Sequence, residues 1–297
     1  MHYTYFIILF FSFSFTALGQ TEQEIVSEPK DSTLIWQITK ADSKDTSYLL
    51  GTIHLPLKAA FYCIDTAQTL MKRTNRAFFE IVVNQEAIGE QAYYFLAQEE
   101  KDRISFVLDS GEQAQLYALG SKLMGPGAAV LRQLKPIGAY SVLTMSMLPM
   151  DTSNSMDILY QEKAKEWGIP VASLETIEDQ FDVLDTIQKY GSRSLLLELI
   201  NNPDQLEADA NELLKAYLNQ DLPLISQLIH DEFSTVIDQK VRQYLLNNRN
   251  IKMATNMINA AEVESCFFAI GAAHLVGDTG VIQALRRHGY TVQAIAH

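Results

Sequence analysis

The chain has 297 residues, 47% hydrophobic and 20% charged. That balance fits one large globular domain or two small ones and excludes disordered and fibrous classes. Lys and Arg number 23 against 36 Asp and Glu, a net charge of −13. Such a surface repels polyanions, so no nucleic-acid partner is expected; cationic peptides, metal ions or mere solubility all suit it.

Phe6–Phe15 is an almost unbroken apolar run, too short to span a bilayer. Ala17-Leu18-Gly19 supplies small residues where a signal peptidase reads, which predicts a signal peptide over residues 1–19 and a mature N-terminus at Gln20. The expected location is periplasmic or extracellular. Met1–Tyr5 contains no Lys or Arg, so an uncleaved N-terminal anchor is the other reading. No Cys follows the apolar run, and no other segment reaches membrane-spanning length, so no stable span remains after cleavage. Cys63 and Cys266 can form a disulfide in an exported protein or stay as buried thiols, and Cys266 lies in an apolar strand.

Residues 20–31 read as a polar, flexible lead-in, and residues 32–297 as one domain without a low-complexity linker. Leu34–Thr39 and Ser47–Ile53 alternate as strands around the polar turn Ala41–Asp45, which predicts a hairpin. A loop with Pro56, a helix over Asp65–Arg73 and a strand over Ala77–Val83 then complete a βαβ unit with parallel strands. Roughly Gln85–Ala261 is mostly helical. Helices are expected around Ala114–Leu123 and over Ile137–Leu148, Ser155–Trp167, Leu206–Leu218, Phe233–Leu246 and Lys252–Ala261. A short strand, Val171–Leu174, precedes a helix whose capping box is Thr176 with Asp179. The C-terminal part repeats the opening plan: strand Ser265–Ile270, turn, helix Thr279–His288 closed by Gly289, strand Thr291–Ala296. The fold class is therefore α/β, a central sheet with two βαβ-type halves related by a pseudo-two-fold, plus the helical middle.

Both halves place Gly-x-x-His after an apolar strand: Gly51-Thr52-Ile53-His54 and Gly271-Ala272-Ala273-His274. Chance gives about 0.3 such matches for 14 Gly and six His in 297 positions, and the bare pattern is weak on its own. Position strengthens it, because the carboxyl edge of a parallel sheet is where ligands bind. Glycine lets the backbone approach a ligand without a Cβ in the way. Glu80 interrupts the apolar strand Phe78–Val82, and a carboxylate there needs a cation or several donors. A metal is one such cation; a salt bridge to nearby Arg73 or Arg76 is another. Two imidazoles and a carboxylate suit a divalent first-row ion, Mn, Co or Zn, with positions open to water. The methionines Met145, Met147, Met150 and Met156 read as core filling, and His230 and His288 as solvated.

In order along the chain stand Gly51-Thr52-Ile53-His54-Leu55, Phe79-Glu80, Met156-Asp157, Leu174-Glu175-Thr176 with Gln180, Arg249-Asn250 with Met253-Ala254, and Gly271-Ala272-Ala273-His274-Leu275 with Gly277 and Gly280. This ordered set, from Leu34 to Ile295, resembles the TraB/GumN family, which includes Tiki metalloproteases and pheromone-shutdown proteins. The family is distantly similar to erythromycin esterases and ChaN-like haem-binding proteins. The resemblance implies that His54 and His274 are paired active-site histidines and Glu80 their acidic partner. It implies that Glu175, Gln180, Arg249 and Asn250 line or brace the same centre. Many relatives carry a second acidic residue just after the one matching Glu80, where this chain has Ile81, Val82, Val83 and Asn84.

The expectation is a metal-dependent hydrolase, a peptidase by resemblance, with Glu80 as ligand or general base and Arg249 or Asn250 holding the oxyanion. The alternative is a non-catalytic protein of the same fold that sequesters a peptide or haem. A peptide or small-molecule substrate is the expected partner, and the sequence does not fix the oligomeric state. Glu175 and Asn250 also admit plainer readings, the first answering a helix dipole and the second capping the helix after it.

Overall fold

The computed structural model describes residues 33–41, 43–61, 64–149, 154–235 and 243–295. The expected signal peptide and lead-in, Cys63 and Met150 lie outside the described residues, as do the side chain of His230 and part of the helix expected over Phe233–Leu246.

Strands β1 (Ile35–Thr39) and β2 (Ser47–Thr52) form the expected antiparallel hairpin, with Ile35 opposite Leu50. Helix α1 (Ile64–Met71) then leads to β3 (Arg76–Phe79). The middle holds α2 (Gln85–Tyr94), α3 (Ile104–Val107), α4 (Ser110–Met124), α5 (Pro136–Met147) and α6 (Met156–Glu166). After β4 (Val171–Ser173) come α7 (Ile177–Tyr190), α8 (Ser192–Asn201), α9 (Pro203–Leu218) and α10 (Leu222–Thr235). A π-helical turn, Gln243–Asn248, runs into α11 (Arg249–Ala261). The chain closes with β5 (Cys266–Gly271), α12 (Val281–Arg287) and β6 (Thr291–Ala294).

The six strands make one mixed sheet in the order β4-β3-β5-β2-β1-β6. β4, β3, β5 and β2 run parallel, and β1 is antiparallel to both its neighbours. Every residue of β2 and β5 is buried, as befits central parallel strands covered on both faces. Phe267 of β5 meets Tyr160 of α6 at a centroid distance of 6.2 Å, and Phe268, on the opposite face, meets Phe78 at 5.4 Å.

The crossover from β2 through α1 to β3 passes one strand, β5. The crossover from β5 through α12 to β6 runs the other way and passes two, β2 and β1. The two halves are thus related through the adjacent parallel pair β2 and β5, with crossovers of unequal reach. Right-handed crossovers in opposite directions lay their helices on opposite faces. Between β2 and β5 the strand order reverses, and the carboxyl ends of strands at such a point form a crevice.

Three local readings change. β3 ends at Phe79, so Glu80 is the first residue past the strand; the following stretch is held by side chains, Val82 N–H donating to Ser173 Oγ at 2.8 Å and Val83 N–H to Gln161 Oε1 at 2.8 Å. α10 already runs from Leu222, because Asp221 Oδ1 accepts from Leu224 N–H at 3.0 Å and starts the helix there. α11 begins at Arg249, so Arg249 and Asn250 occupy its first turn rather than preceding it. Among the described residues no helix is long and apolar enough to cross a membrane.

Phe267 is fully buried at the centre of the sheet. Phe267→Ala is expected to lower unfolding free energy by about 3–5 kcal/mol, read from urea midpoints with native-like circular dichroism retained.

Candidate active site

The two Gly-x-x-His turns lie against each other at the β2–β5 edge. A Cβ on Gly51 would stand 3.1 Å from Leu275 Cδ2 and 3.3 Å from Ala272 Cα, so only glycine lets the turns meet without displacement. Tyr217 of α9 donates to Gly51 O at 3.0 Å, and its hydroxyl also touches Met156 Sδ at 3.1 Å. One hydroxyl thus ties the end of β2 to the start of α6.

Each imidazole is anchored through Nδ1. His54 Nδ1 faces Asp157 Oδ2 at 2.6 Å, and Asp157 Oδ1 accepts from Thr52 Oγ1 at 2.9 Å. His274 Nδ1 lies 2.6 Å from Asn250 Oδ1, while Asn250 Nδ2 donates to Thr279 O at 3.0 Å. The second bond fixes the carboxamide orientation, so His274 Nδ1 is the donor and Nε2 keeps its lone pair. Both Nε2 atoms turn toward a single oxygen, Glu80 Oε1, at 3.9 Å from His54 and 3.8 Å from His274.

Glu80 is held from two further sides. Gly271 N–H donates to Oε1 at 2.6 Å, and Arg249 Nη2 donates to Oε2 at 2.7 Å. The buried carboxylate's cation is therefore Arg249; Arg76 pairs with Glu264 instead, at 2.7 Å. Arg249 also grips Glu175 through Nε at 2.9 and 3.0 Å and through Nη2 at 2.6 Å. A Cβ on Gly271 would lie 3.0 Å from Glu80 Oε1, 3.6 Å from His274 Cδ2 and 3.8 Å from His54 Nε2. The missing side chain leaves a small cradle between the three groups.

The surroundings drive the two histidines apart. Burial disfavours the charged form of His54, but Asp157 and then Glu80 outweigh it and hold its pKa well above 6.5. Burial and the Arg249 charge push His274 down to about 3. Glu80 resists burial because Arg249 and both imidazoles keep it well below 4.5. Glu175, wholly enclosed, is raised by burial despite Arg249.

Of the residues singled out in the sequence, Gly51, His54, Glu80, Glu175, Arg249, Asn250, Gly271 and His274 meet in this one network. Gln180 does not join it: on α7 it accepts from Gln91 Nε2 at 3.3 Å. Asn250 holds His274 from within α11 rather than capping the helix. Asp157, Thr52 and Tyr217 carry contacts that no role was read for. Asp157 stood in the ordered motif set, but an acid in the first turn of a helix is unremarkable locally. The strand after Glu80 supplies no second carboxylate, yet Asp157 and Glu175 reach the centre from elsewhere. Of the four methionines singled out as core filling, Met147 and Met156 are buried, and His288 is exposed. Cys266 is a buried free thiol, its pKa pushed by burial up to about 12.

The sequence profile of the TraB/PrgY/gumN family matches residues 34–294. The chain belongs to the TraB/PrgY/gumN family. Among curated proteins it is similar to "Metalloprotease TIKI2" of Danio rerio, 22% identical over 90% of this chain and 62% of that protein. A shorter stretch, 27% of this chain and 15% of the relative, is 37% identical to "Metalloprotease TIKI2" of Xenopus tropicalis. A third, 20% of this chain and 13% of the relative, is 37% identical to "Metalloprotease TIKI homolog" of Nematostella vectensis. The chain thus spans about three-fifths or less of these relatives' length. No solved structure matches the chain.

The names of these relatives imply a metal. The donor set here fits one in kind: two imidazoles with Nδ1 anchored by side-chain acceptors, the arrangement that orients metal-binding histidines, and a carboxylate oxygen facing both. Three buried carboxyl groups face one guanidinium, so with both imidazoles neutral, as ligands must be, negative charge is in excess, which suits a cation. The set stands open, and among the described residues no group of three or more His, Cys, Asp and Glu side chains is drawn tightly enough to enclose an ion as placed.

These shifts set a pH profile for the metal-free protein. His54, raised on folding, contributes stability that is present below pH 6.5 and lost as pH climbs through its folded pKa. His274, lowered, contributes stability that is present above pH 6.5 and lost as pH falls toward about 3, with Glu80 adding a loss below 4.5. Denaturant midpoints across pH are therefore expected to peak near 6.5, and His54→Gln is expected to flatten the alkaline side only. A profile rising steadily to pH 9 contradicts this.

Proposed function

We propose that this chain is a metal-dependent hydrolase acting on peptide bonds, exported from the cytoplasm. One observation carries the reading: imidazoles from distant parts of the chain turn their Nε2 atoms on the same carboxylate oxygen, each held from behind by a dedicated acceptor. The metalloprotease relatives support the choice of chemistry, and the apolar run before Gln20 supports export.

His54, His274 and Glu80 are the residues that would hold the ion. When bound, a divalent first-row ion supplies Lewis acidity toward a carbonyl oxygen and makes water more acidic. Asp157 and Asn250 keep each Nδ1 occupied, which reserves Nε2 for ligation. Arg249 and Gly271 N–H keep Glu80 ionised and aimed into the cradle. The open side chain in the cleft is that of His54, 20% exposed against 1% for His274, so substrate approaches from the His54 side.

Elemental analysis of purified protein is expected to give a stoichiometric metal, and turnover of a peptide library is expected to be sensitive to chelator. His54→Ala and Glu80→Gln are each expected to cut metal affinity and turnover at least about a hundredfold. Because His54 would have to give up its proton to act as a ligand, affinity is expected to rise with pH until the raised pKa of that imidazole is passed. Haem absorbance, or peptide binding without turnover, would instead make this a sequestering protein. No metal and no turnover, with variants that melt lower by an amount worth about 1–3 kcal/mol, would make the centre a structural polar network.

Export has its own readout. Protein from the envelope or medium is expected to begin at Gln20 by N-terminal sequencing; intact Met1 on cytoplasmic protein overturns it.

A further inference from the structure

A guanidinium carries five N–H donors in a fixed planar fork. In Arg249 the Nε–H and one Nη2–H meet Glu175, and the other Nη2–H meets Glu80 Oε2. Three donors are spent, and the two that remain are both on Nη1. Among the described residues Nη1 has no hydrogen-bond partner, although Arg249 as a whole is only 7% exposed. Nη1 is not sealed from solvent, being absent from the buried unpartnered atoms. A buried cation with every other donor committed thus presents one open amino group.

Its direction follows from the plane of the fork. Glu175 occupies the side edge, so Glu80 sits at the end edge, and one Nη1–H runs alongside the N–H that Glu80 accepts. An oxygen received there lies beside Glu80, whose Oε1 faces both imidazoles. Asn250 has less to offer, because its Oδ1 faces His274 and one of its two Nδ2 hydrogens is spent on Thr279 O.

We propose that Arg249 Nη1 is the group that receives the carbonyl oxygen of the bond being hydrolysed, an assignment that rests on the hydrolase reading above. Water adds through its oxygen to the carbonyl carbon, and the C=O π pair moves onto the oxygen held by Nη1. Collapse then breaks the C–N bond, and the amine leaves with the proton that water gave up. The guanidinium is bonded more strongly by the oxygen once it is negative, which is the differential that lowers a barrier. Its other three donors, locked on two carboxylates, keep Nη1 aimed before substrate arrives.

The test uses full-length, metal-loaded protein, the best-cleaved peptide from the library and its phosphonate isostere, whose tetrahedral anionic oxygen stands in for the oxyanion. Wild type is expected to prefer the isostere about a hundredfold over the amide. The guanidinium ¹⁵N signals of Arg249, assigned through bonds from its own backbone amide, are expected to shift when the isostere binds. Arg249→Lys keeps the charge between Glu80 and Glu175 but lacks the fork. It is expected to lose at least about tenfold of that preference, and to lose about a hundredfold in kcat with KM little changed. If Arg249→Lys does not fold, the wild-type signal shift decides alone. Arg249 signals unmoved by the bound isostere, or a preference unchanged in Arg249→Lys, overturns the assignment while peptide cleavage by wild type leaves the hydrolase reading standing. Wild type that cleaves no peptide overturns both.

Discussion

A buried arginine between two buried carboxylates governs this structure. Arg249, Glu80 and Glu175 are each nearly inaccessible, and none can be kept charged there alone. Removing one partner of such a set exposes the others to the full cost of burial, about 3–5 kcal/mol. The set therefore fixes the end of β3, the end of β4 and the start of α11 relative to one another. Gly271 N–H on Glu80 adds the end of β5 to the same knot. Four segments spread over the chain are tied at one point before any ligand enters.

The sheet makes that knot useful. β2 and β5 are neighbours and parallel, and their crossovers leave in opposite directions, so the chain opens a crevice where their carboxyl ends meet. Thr52 pairs with Gly271, so the two turns begin one residue out of step and can pack flank to flank. The supporting side chains come from outside this pair. Asp157 arrives on α6, Asn250 on α11 and Tyr217 on α9. The helical middle thus supplies the posts that hold histidines contributed by the sheet.

Much of this arrangement was legible in the residues themselves. Apolar strands ending in Gly-x-x-His signal a sheet edge because burial, turn and polar tip follow within a few positions. Glu80 stood out because a carboxylate among Phe78, Phe79, Ile81 and Val82 contradicts its neighbours. Arg249 did not declare its partners, since Glu175 lies 74 positions away and Glu80 169, and pairing at that range has no periodic trace. Asp157 was hidden for the opposite reason: an acid at the start of a helix already has a local explanation. The start of α11 was misjudged because a π-helical turn feeds into it, and no side-chain pattern distinguishes that turn from a loop. Gln180, six residues into the segment that begins with Leu174, was carried along with its neighbours although its amide faces α2.

Contact between the two Gly-x-x-His turns also has a consequence for biogenesis. His54 emerges early from the ribosome and His274 late, so every nascent chain that ends between those two points carries one imidazole without the other. Half the centre is useless alone, because each Nε2 has meaning only opposite its counterpart across Glu80. The hairpin of β1 and β2 can form at once, but the slot beside β2 stays vacant until β5 is added. If the centre is catalytic as proposed, the last tenth of the polypeptide acts as an internal timer that withholds this chemistry from a growing chain and from the machinery that handles it.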